Sequence, residues 1–85
     1  MTRDEIKSQI LKIFRDQFEI VNPDLDVNLR DTYEFDSIDA IELLREIEIF
    51  LCTQLSRDEK KMAMEIRSLN QILDYVETLA ASRGT

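Results

Sequence analysis

Residues that build tight turns are rare in this chain, which contains one glycine and one proline among its 85 residues. An all-β protein of this length would need many such turns, and glycine and proline are among the residues that most often form them. Apolar residues make up 44% of the sequence, which is enough for the core of one small domain. The sequence therefore predicts an all-α fold, with a single domain over residues 1–85.

Three stretches begin with the pattern of a helix capping box, in which Ser or Thr is followed three residues later by Glu or Gln. Each box satisfies two backbone N–H groups that the first turn of a helix would otherwise leave unpaired. One match of this kind is weak, but three matches that each open a helical pattern indicate three helix starts. The boxes are Thr2 with Glu5, Ser56 with Glu59, and Ser68 with Gln71.

Apolar residues spaced three and four apart predict four helices, with a long loop between the first and the second. The first helix is expected to end before Pro23, because a residue that precedes proline avoids the helical region. The loop over residues 22–35 carries apolar anchors and is expected to lie across the helices. The third helix is short, and residues 82–85 are expected to form a flexible tail. The predicted helices cover about residues 3–20, 37–51, 57–63 and 69–81.

The chain is acidic, with 18 Asp and Glu against 11 Lys and Arg and a formal charge of −7. Nucleic-acid binding is disfavoured because no stripe of Lys and Arg is present to neutralise phosphates, whereas basic protein surfaces are favoured partners. No stretch approaches the roughly 20 apolar residues that span a membrane. The chain has no histidine, so Cys52 lacks the usual base for nucleophilic catalysis. These features predict a non-catalytic, cytoplasmic, monomeric protein.

The second predicted helix has apolar residues on two sides. Its core stripe runs from Ala40 to Leu51, whereas Ile38, Ile41 and Ile49 lie on the opposite flank among charged residues. Either the long loop buries this flank, or the flank is a partner-docking face in which acids surround apolar contacts. The predicted docking face comprises Ile38, Asp39, Ile41, Glu42, Arg45, Glu46 and Ile49.

Ser37 lies at the start of this helix. Backbone N–H groups are unpaired there and the helix dipole is positive, so a phosphate on the serine oxygen would be stabilised. The dipole contributes on the order of 0.3–1 kcal/mol. Serine is also common as a helix N-cap, and Ser37 taken alone is better explained in that way.

Two stretches of the chain are similar to acyl carrier proteins. The segment Phe35–Leu44 resembles the attachment site of that family, in which Asp-Ser-Leu or a near variant opens the second helix and a Glu-Leu pair follows one turn later. The segment Ile66–Val76 resembles the closing segment of the family. The helix order also matches, and the resemblance covers about residues 4–81. It implies a small four-helix bundle of the acyl carrier protein type.

The resemblance implies a carrier rather than a catalyst. A phosphopantetheinyl transferase would attach 4′-phosphopantetheine to the Ser37 hydroxyl, and Asp36 would help to recruit the transferase and its metal ion. The terminal thiol would hold an acyl group as a thioester, and the core would shelter its tail. Synthases with basic docking surfaces would act on this group in fatty-acid, lipid or polyketide-type biosynthesis. A carrier of aminoacyl or peptidyl groups is the alternative within the family.

Several departures from the pattern of the family indicate a specialised member. Phe35 stands beside the Asp-Ser pair with no glycine before it, and Ile49 occupies a position that is usually glutamate. Arg45 occupies a position on the docking flank that is usually apolar. A cation there is expected to weaken docking against a basic partner surface.

Two interpretations outside the family are also open. Asp24, Asp26 and Asn28 match the first, third and fifth ligand positions of an EF-hand calcium loop. Leu29 and Phe35, however, replace the glycine and the glutamate that such a loop needs. The second interpretation is an unmodified helical adaptor, which would use the apolar flank only as a protein interface. The sequence does not separate this adaptor from a carrier, because both need an exposed apolar flank.

Overall fold

The computed structural model describes residues 2–83, and all regular secondary structure in that range is helical. This confirms the all-α fold that the sequence predicts. Five helices form where four are predicted, because a short helix lies inside the expected long loop. The helices are α1 (Arg3–Phe18), α2 (Leu29–Tyr33), α3 (Ser37–Leu51), α4 (Arg57–Ala63) and α5 (Leu69–Ser82).

Capping boxes hold the starts of four helices. The three predicted boxes are present at Thr2, Ser56 and Ser68. A fourth box, at the start of α3, was not predicted: the Asp39 N–H donates to the Asp36 carboxylate, and the Asp36 N–H donates to the Asp39 carboxylate. Two aspartates here replace the usual Ser or Thr and Glu or Gln, so the pattern that finds the other boxes misses this one.

The segment between α1 and α3 contains more helix than predicted, although α1 ends slightly earlier than predicted. It ends at Phe18 because Glu19 adopts a left-handed conformation, with φ of 57°, and donates its N–H to the Phe14 carbonyl. Further along, Asn28 accepts a hydrogen bond from the Asp31 N–H and caps α2. A helix of 5 residues is too short for apolar periodicity to reveal it.

Aromatic rings anchor the residues that precede α3. Phe14 of α1 is fully buried, and Phe35 stacks on it with ring centroids 5.5 Å apart. Phe18 meets the Phe35 ring edge-on at 5.2 Å. The chain that enters α3 is therefore fixed against the core. The buried core side chains are Ile6, Ile10, Phe14, Leu29, Leu43, Leu44, Ile47, Leu51, Leu55, Ala63, Leu69, Ile72, Leu73, Val76, Leu79 and Ala80.

Backbone hydrogen bonds tie the segment between α1 and α3 to the start of α5. The Leu29 N–H donates to the Arg67 carbonyl at 2.8 Å, and the Asn70 N–H donates to the Leu25 carbonyl at 3.0 Å. The Leu29 side chain is buried in the core. The segment therefore lies across the helices, as the sequence predicts, and supports the start of α3.

Arg83 fastens the end of α5 to α4. Its guanidinium pairs with the Glu59 carboxylate at 2.6 Å, and its Nε donates to Thr53 Oγ1 at 3.0 Å. We call these three residues the Arg83 clasp. The Arg83 guanidinium, together with the Ser56 N–H, lowers the pKa of Glu59 to about 2. The expected tail therefore does not begin at residue 82: Ser82 lies in α5 and Arg83 is bonded, and the last two residues of the chain lie outside the described range.

Candidate functional site

Ser37 is the first residue of α3, and it is exposed. Asp36, not Ser37, is the N-cap of this helix, so the explanation of Ser37 as a cap is wrong. Within residues 2–83, no other group hydrogen-bonds to the Ser37 hydroxyl. The hydroxyl is thus accessible, and its modification would remove no cap from α3.

The first turn of α3 presents opposing charges around Ser37. The Asp36 carboxylate accepts a hydrogen bond from the Asp39 N–H at 3.0 Å, and the Asp39 carboxylate accepts one from the Asp36 N–H at 3.2 Å. The N–H groups of Ser37 and Ile38 have no partner in the described part of the chain. These two donors and the helix dipole favour an anion on the Ser37 oxygen, whereas the two carboxylates oppose it. A phosphate at Ser37 would therefore depend on the donors and on positive charge from elsewhere.

A cavity of about 130 Å³ lies among α2, α3, α4 and the start of α5. Ser37 lines this cavity and is also exposed, so it stands at the cavity mouth. We call this space the core cavity. Apolar side chains form most of its wall, and an apolar space of this size can take up a small hydrocarbon group. Examples from three helices are Leu43, Leu44, Ile47, Ala63 and Ile72.

Two arginines also line the core cavity. Arg67 donates hydrogen bonds to the carbonyls of Met64 and Ile66, which hold its guanidinium in place. Arg30 is exposed and forms no ion pair with any residue of the described range. Both place positive charge on the wall that Ser37 shares, and arginine is well suited to bind phosphate oxygens. The sequence did not reveal either residue, because only the packing of α2 against the start of α5 brings them to this wall.

The predicted docking face is exposed along its apolar strip. Ile38, Ile41 and Ile49 are 74%, 60% and 64% exposed, so the alternative in which the long loop buries this flank is wrong. Arg45 lies between them on the same flank and has no ion pair within residues 2–83. Exposed apolar groups on a small protein often mark a binding surface. The charged residues beside the strip are Asp39, Glu42, Arg45 and Glu46.

The residues of the EF-hand pattern have structural roles. Asp24 accepts a hydrogen bond from the Asp26 N–H, and Asp26 accepts one from the side chain of Asn70. Asn28 caps α2. Between residues 2 and 83, no group of three or more His, Cys, Asp or Glu is placed to hold a metal ion. The pattern is therefore explained by the fold of the segment before α3.

A protein-family model described as "Phosphopantetheine attachment site" matches residues 8–76, which is more than half of the chain. The chain belongs to this family. The phosphopantetheine attachment family is defined by a site where 4′-phosphopantetheine is joined covalently, so the chain is a phosphopantetheine carrier protein. No curated protein shows significant similarity to the chain.

The described residues fit what phosphopantetheine attachment requires. A transferase needs an accessible hydroxyl, and Ser37 provides one within the matched range. The phosphodiester needs donors, and the free N–H groups of the first turn and the guanidinium of Arg30 are available. Among the helices described, none has the length and apolar character needed to cross a membrane.

Proposed function

We propose that Ser37 carries the phosphopantetheine arm and that this protein is an acyl carrier protein. It would hold acyl groups as thioesters for synthases of fatty-acid, lipid or polyketide-type biosynthesis. One observation carries the proposal: an exposed serine hydroxyl stands at the N-terminus of α3 and at the mouth of an apolar cavity. An arm attached there can reach outwards to an enzyme or fold its cargo back into the core.

The residues around Ser37 have separate roles in this proposal. Asp36 caps α3 and leaves the serine oxygen free to form a phosphoester bond. The N–H groups of Ser37 and Ile38 and the guanidinium of Arg30 stabilise the phosphate. Asp36 directly precedes the serine in the sequence, and its carboxylate is our candidate for recruiting the transferase and its metal ion.

The apolar core cavity favours an acyl cargo over an aminoacyl or peptidyl cargo. An aminoacyl group carries a charged amine, and an apolar wall cannot compensate for removing that amine from water. A hydrocarbon tail gains about 0.8 kcal/mol for each methylene that it buries. The acyl assignment would be weakened if an acyl group and an aminoacyl group on the arm perturbed the NMR signals of Leu43 and Ile72 equally.

The docking face is our candidate surface for partner enzymes. Its exposed isoleucines supply apolar contact, and the acids beside them attract a basic surface at long range. Arg45 opposes such a surface, which favours partners that differ from those of an all-acidic carrier. A standard fatty-acid ketosynthase should therefore bind this protein more weakly than it binds the main carrier of its own pathway.

Intact-mass measurement tests the attachment site. The protein is incubated with coenzyme A, Mg²⁺ and a broad-specificity phosphopantetheinyl transferase. The wild-type chain should gain one phosphopantetheine group, and Ser37→Ala should gain none. Ser56→Ala is the matched control, because Ser56 is the N-cap of α4, does not line the core cavity and should not affect the addition.

Two results would contradict the proposal. Modification that persists in Ser37→Ala would place the arm on another residue. A wild-type chain that stays unmodified with several transferases would favour the unmodified adaptor, in which the docking face acts as a protein interface alone. Circular dichroism of each variant shows whether a lost addition reflects a lost fold.

A further inference from the structure

Two apolar spaces in this protein share a wall. The core cavity lies on one side, and a larger groove of about 480 Å³ lies on the other, between α4 and α5. Ile66 and Tyr75 line both spaces. We call the groove the outer groove and these two side chains the partition. The partition therefore lies between the core cavity, which Ser37 also lines, and the outer groove.

A single hydrogen bond holds the aromatic part of the partition. The Tyr75 hydroxyl donates to the Glu59 carbonyl at 2.6 Å, and burial raises the pKa of Tyr75 to about 12. Glu59 is itself held by Arg83 through the clasp. The ring is therefore fixed in position by α4 and cannot swing aside without breaking this bond.

The outer groove has the chemistry to accept a hydrocarbon chain. Leu79 and Ile66 contribute apolar surface, and Met62, at 62% exposed, leaves a flexible thioether at its edge. Polar and charged side chains also line the groove, but apolar atoms form most of its exposed wall. The space beyond the partition is thus larger than the core cavity and is similarly apolar.

We propose that Tyr75 and Ile66 set the length of acyl chain that this carrier holds in its core. This inference rests on the proposed acyl carrier function. An apolar cavity of roughly 150 Å³ holds one benzene ring, so the core cavity should take on the order of six carbon atoms. The carbons of a longer chain meet the Tyr75 ring and stay outside the core. Removal of the ring joins the core cavity to the outer groove and extends the limit.

The test measures thermal unfolding as a function of acyl length. A broad-specificity transferase loads the full chain from a series of acyl-coenzyme A donors with four to sixteen carbons, and intact mass verifies each product. For the wild type, the melting temperature should rise by roughly 3 °C for each buried methylene and level off near six carbons. For Tyr75→Ala, the rise should continue by at least four further carbons.

Other variants test the same inference if Tyr75→Ala folds poorly. Ile66→Ala should extend the limit by fewer carbons, and Tyr75→Phe, which keeps the ring but loses the hydrogen bond, should extend it slightly. Tyr33→Ala is the matched control, because Tyr33 contacts neither space; its hydroxyl accepts a hydrogen bond from the Asp24 N–H. Tyr33→Ala should keep the wild-type limit, even if its melting temperatures are lower throughout.

Three results would overturn the inference. The first is a chain-length limit that is the same in the wild type, Tyr75→Ala and Ile66→Ala. The second is a wild-type melting temperature that rises steadily up to sixteen carbons. The third is a melting temperature that does not change with any chain length. In each case intact mass still reports the arm on Ser37, so the carrier function would stand while the partition would not. Absence of the arm from Ser37 would instead be a failure of the proposed function.

Discussion

The two sides of this small helical protein differ in how completely their interior is filled. On the side where α1 meets α5, burial is nearly complete: Ile6, Ile10, Phe14 and Val76 are all 0% exposed. On the other side, α2, α3 and α4 surround the core cavity, and the clasp and the Tyr75 hydroxyl hold α4 in place. We call these the packed side and the cavity side.

The comparison shows how a carrier of this size can combine stability with an internal space. A chain of 85 residues has a small core, and a void in that core removes contacts that would otherwise stabilise the fold. Here the packed side is closed by side chains that are fully buried. Both sides also carry ion pairs, which depend less on filling the interior: Arg3 with Asp74 and Glu77 on the packed side, and Arg83 with Glu59 on the cavity side. The internal space therefore lies on the side where packing is already incomplete.

The largest expected effect compares two matched leucines. Leu73 on α5 is buried away from the core cavity, whereas Leu44 on α3 lines it. Leu73→Ala should lower the free energy of unfolding by about 3–5 kcal/mol. Leu44→Ala should cost about 1–2 kcal/mol less, because a side chain beside an existing void has fewer contacts to lose. Urea denaturation of the unmodified protein measures both, and equal costs would break the distinction between the two sides.

An intermediate effect concerns pH and the Arg83 clasp. The pKa of Glu59 is about 2 in the folded protein and 4.5 ordinarily, so the unfolded chain takes up this proton first as the pH falls. The stability due to Glu59 is therefore complete above pH 4.5 and is lost between 4.5 and about 2. In Arg83→Gln the pKa of Glu59 should rise towards 4.5, and the pH dependence of stability in that range should become shallower.

Stability measured by urea denaturation from pH 2 to 6 tests this expectation. Arg3→Gln is the matched control, because Arg3 pairs with Asp74 and Glu77 at the surface of the packed side, each at 2.7 Å. It should retain the pH dependence due to Glu59. Hydrogen exchange shows which helix is destabilised: Arg83→Gln should speed the exchange of α4 amides more than that of α1 amides. Equal acceleration in both helices would show that the clasp does not act on the cavity side alone.

The smallest effect on stability is expected on the docking face. Ile41→Ala should change the free energy of unfolding by less than about 0.5 kcal/mol, because Ile41 is 60% exposed. Its modification by a transferase should nevertheless slow by about fivefold, which corresponds to about 1 kcal/mol of lost partner contact. Val21→Ala, at a residue 66% exposed in the loop after α1, is the control and should leave the rate unchanged. If both variants slow equally, the docking face has no special role.

Much of the fold follows from local signals in the sequence. Three capping boxes and apolar spacing indicate where α1, α4 and α5 begin, because a cap depends only on residues within one turn. The same search missed the box of Asp36 and Asp39, because its residue types differ from those of the usual capping box although its two hydrogen bonds are the same. It also missed α2, whose cap residue Asn28 starts a helix too short for a periodic pattern.

The site could be predicted only where its residues lie close together in the sequence. Ser37 and the isoleucines of α3 lie on one helix, so a helical wheel places them correctly, and their exposure agrees with that placement. The core cavity depends on the distances between four segments of the chain, and no local sequence pattern encodes those distances. Arg30 and Tyr75 reach it from opposite parts of the chain. Arg83 was expected in a flexible tail because its partner Glu59 is distant in sequence.

The capping role of Asp36 has a consequence for the working life of the protein. Since the residue that caps the helix differs from the serine that we propose as the attachment residue, installation or removal of a prosthetic group at Ser37 would require no refolding. Under that proposal, one folded molecule would be charged, emptied and recharged many times on an unaltered scaffold.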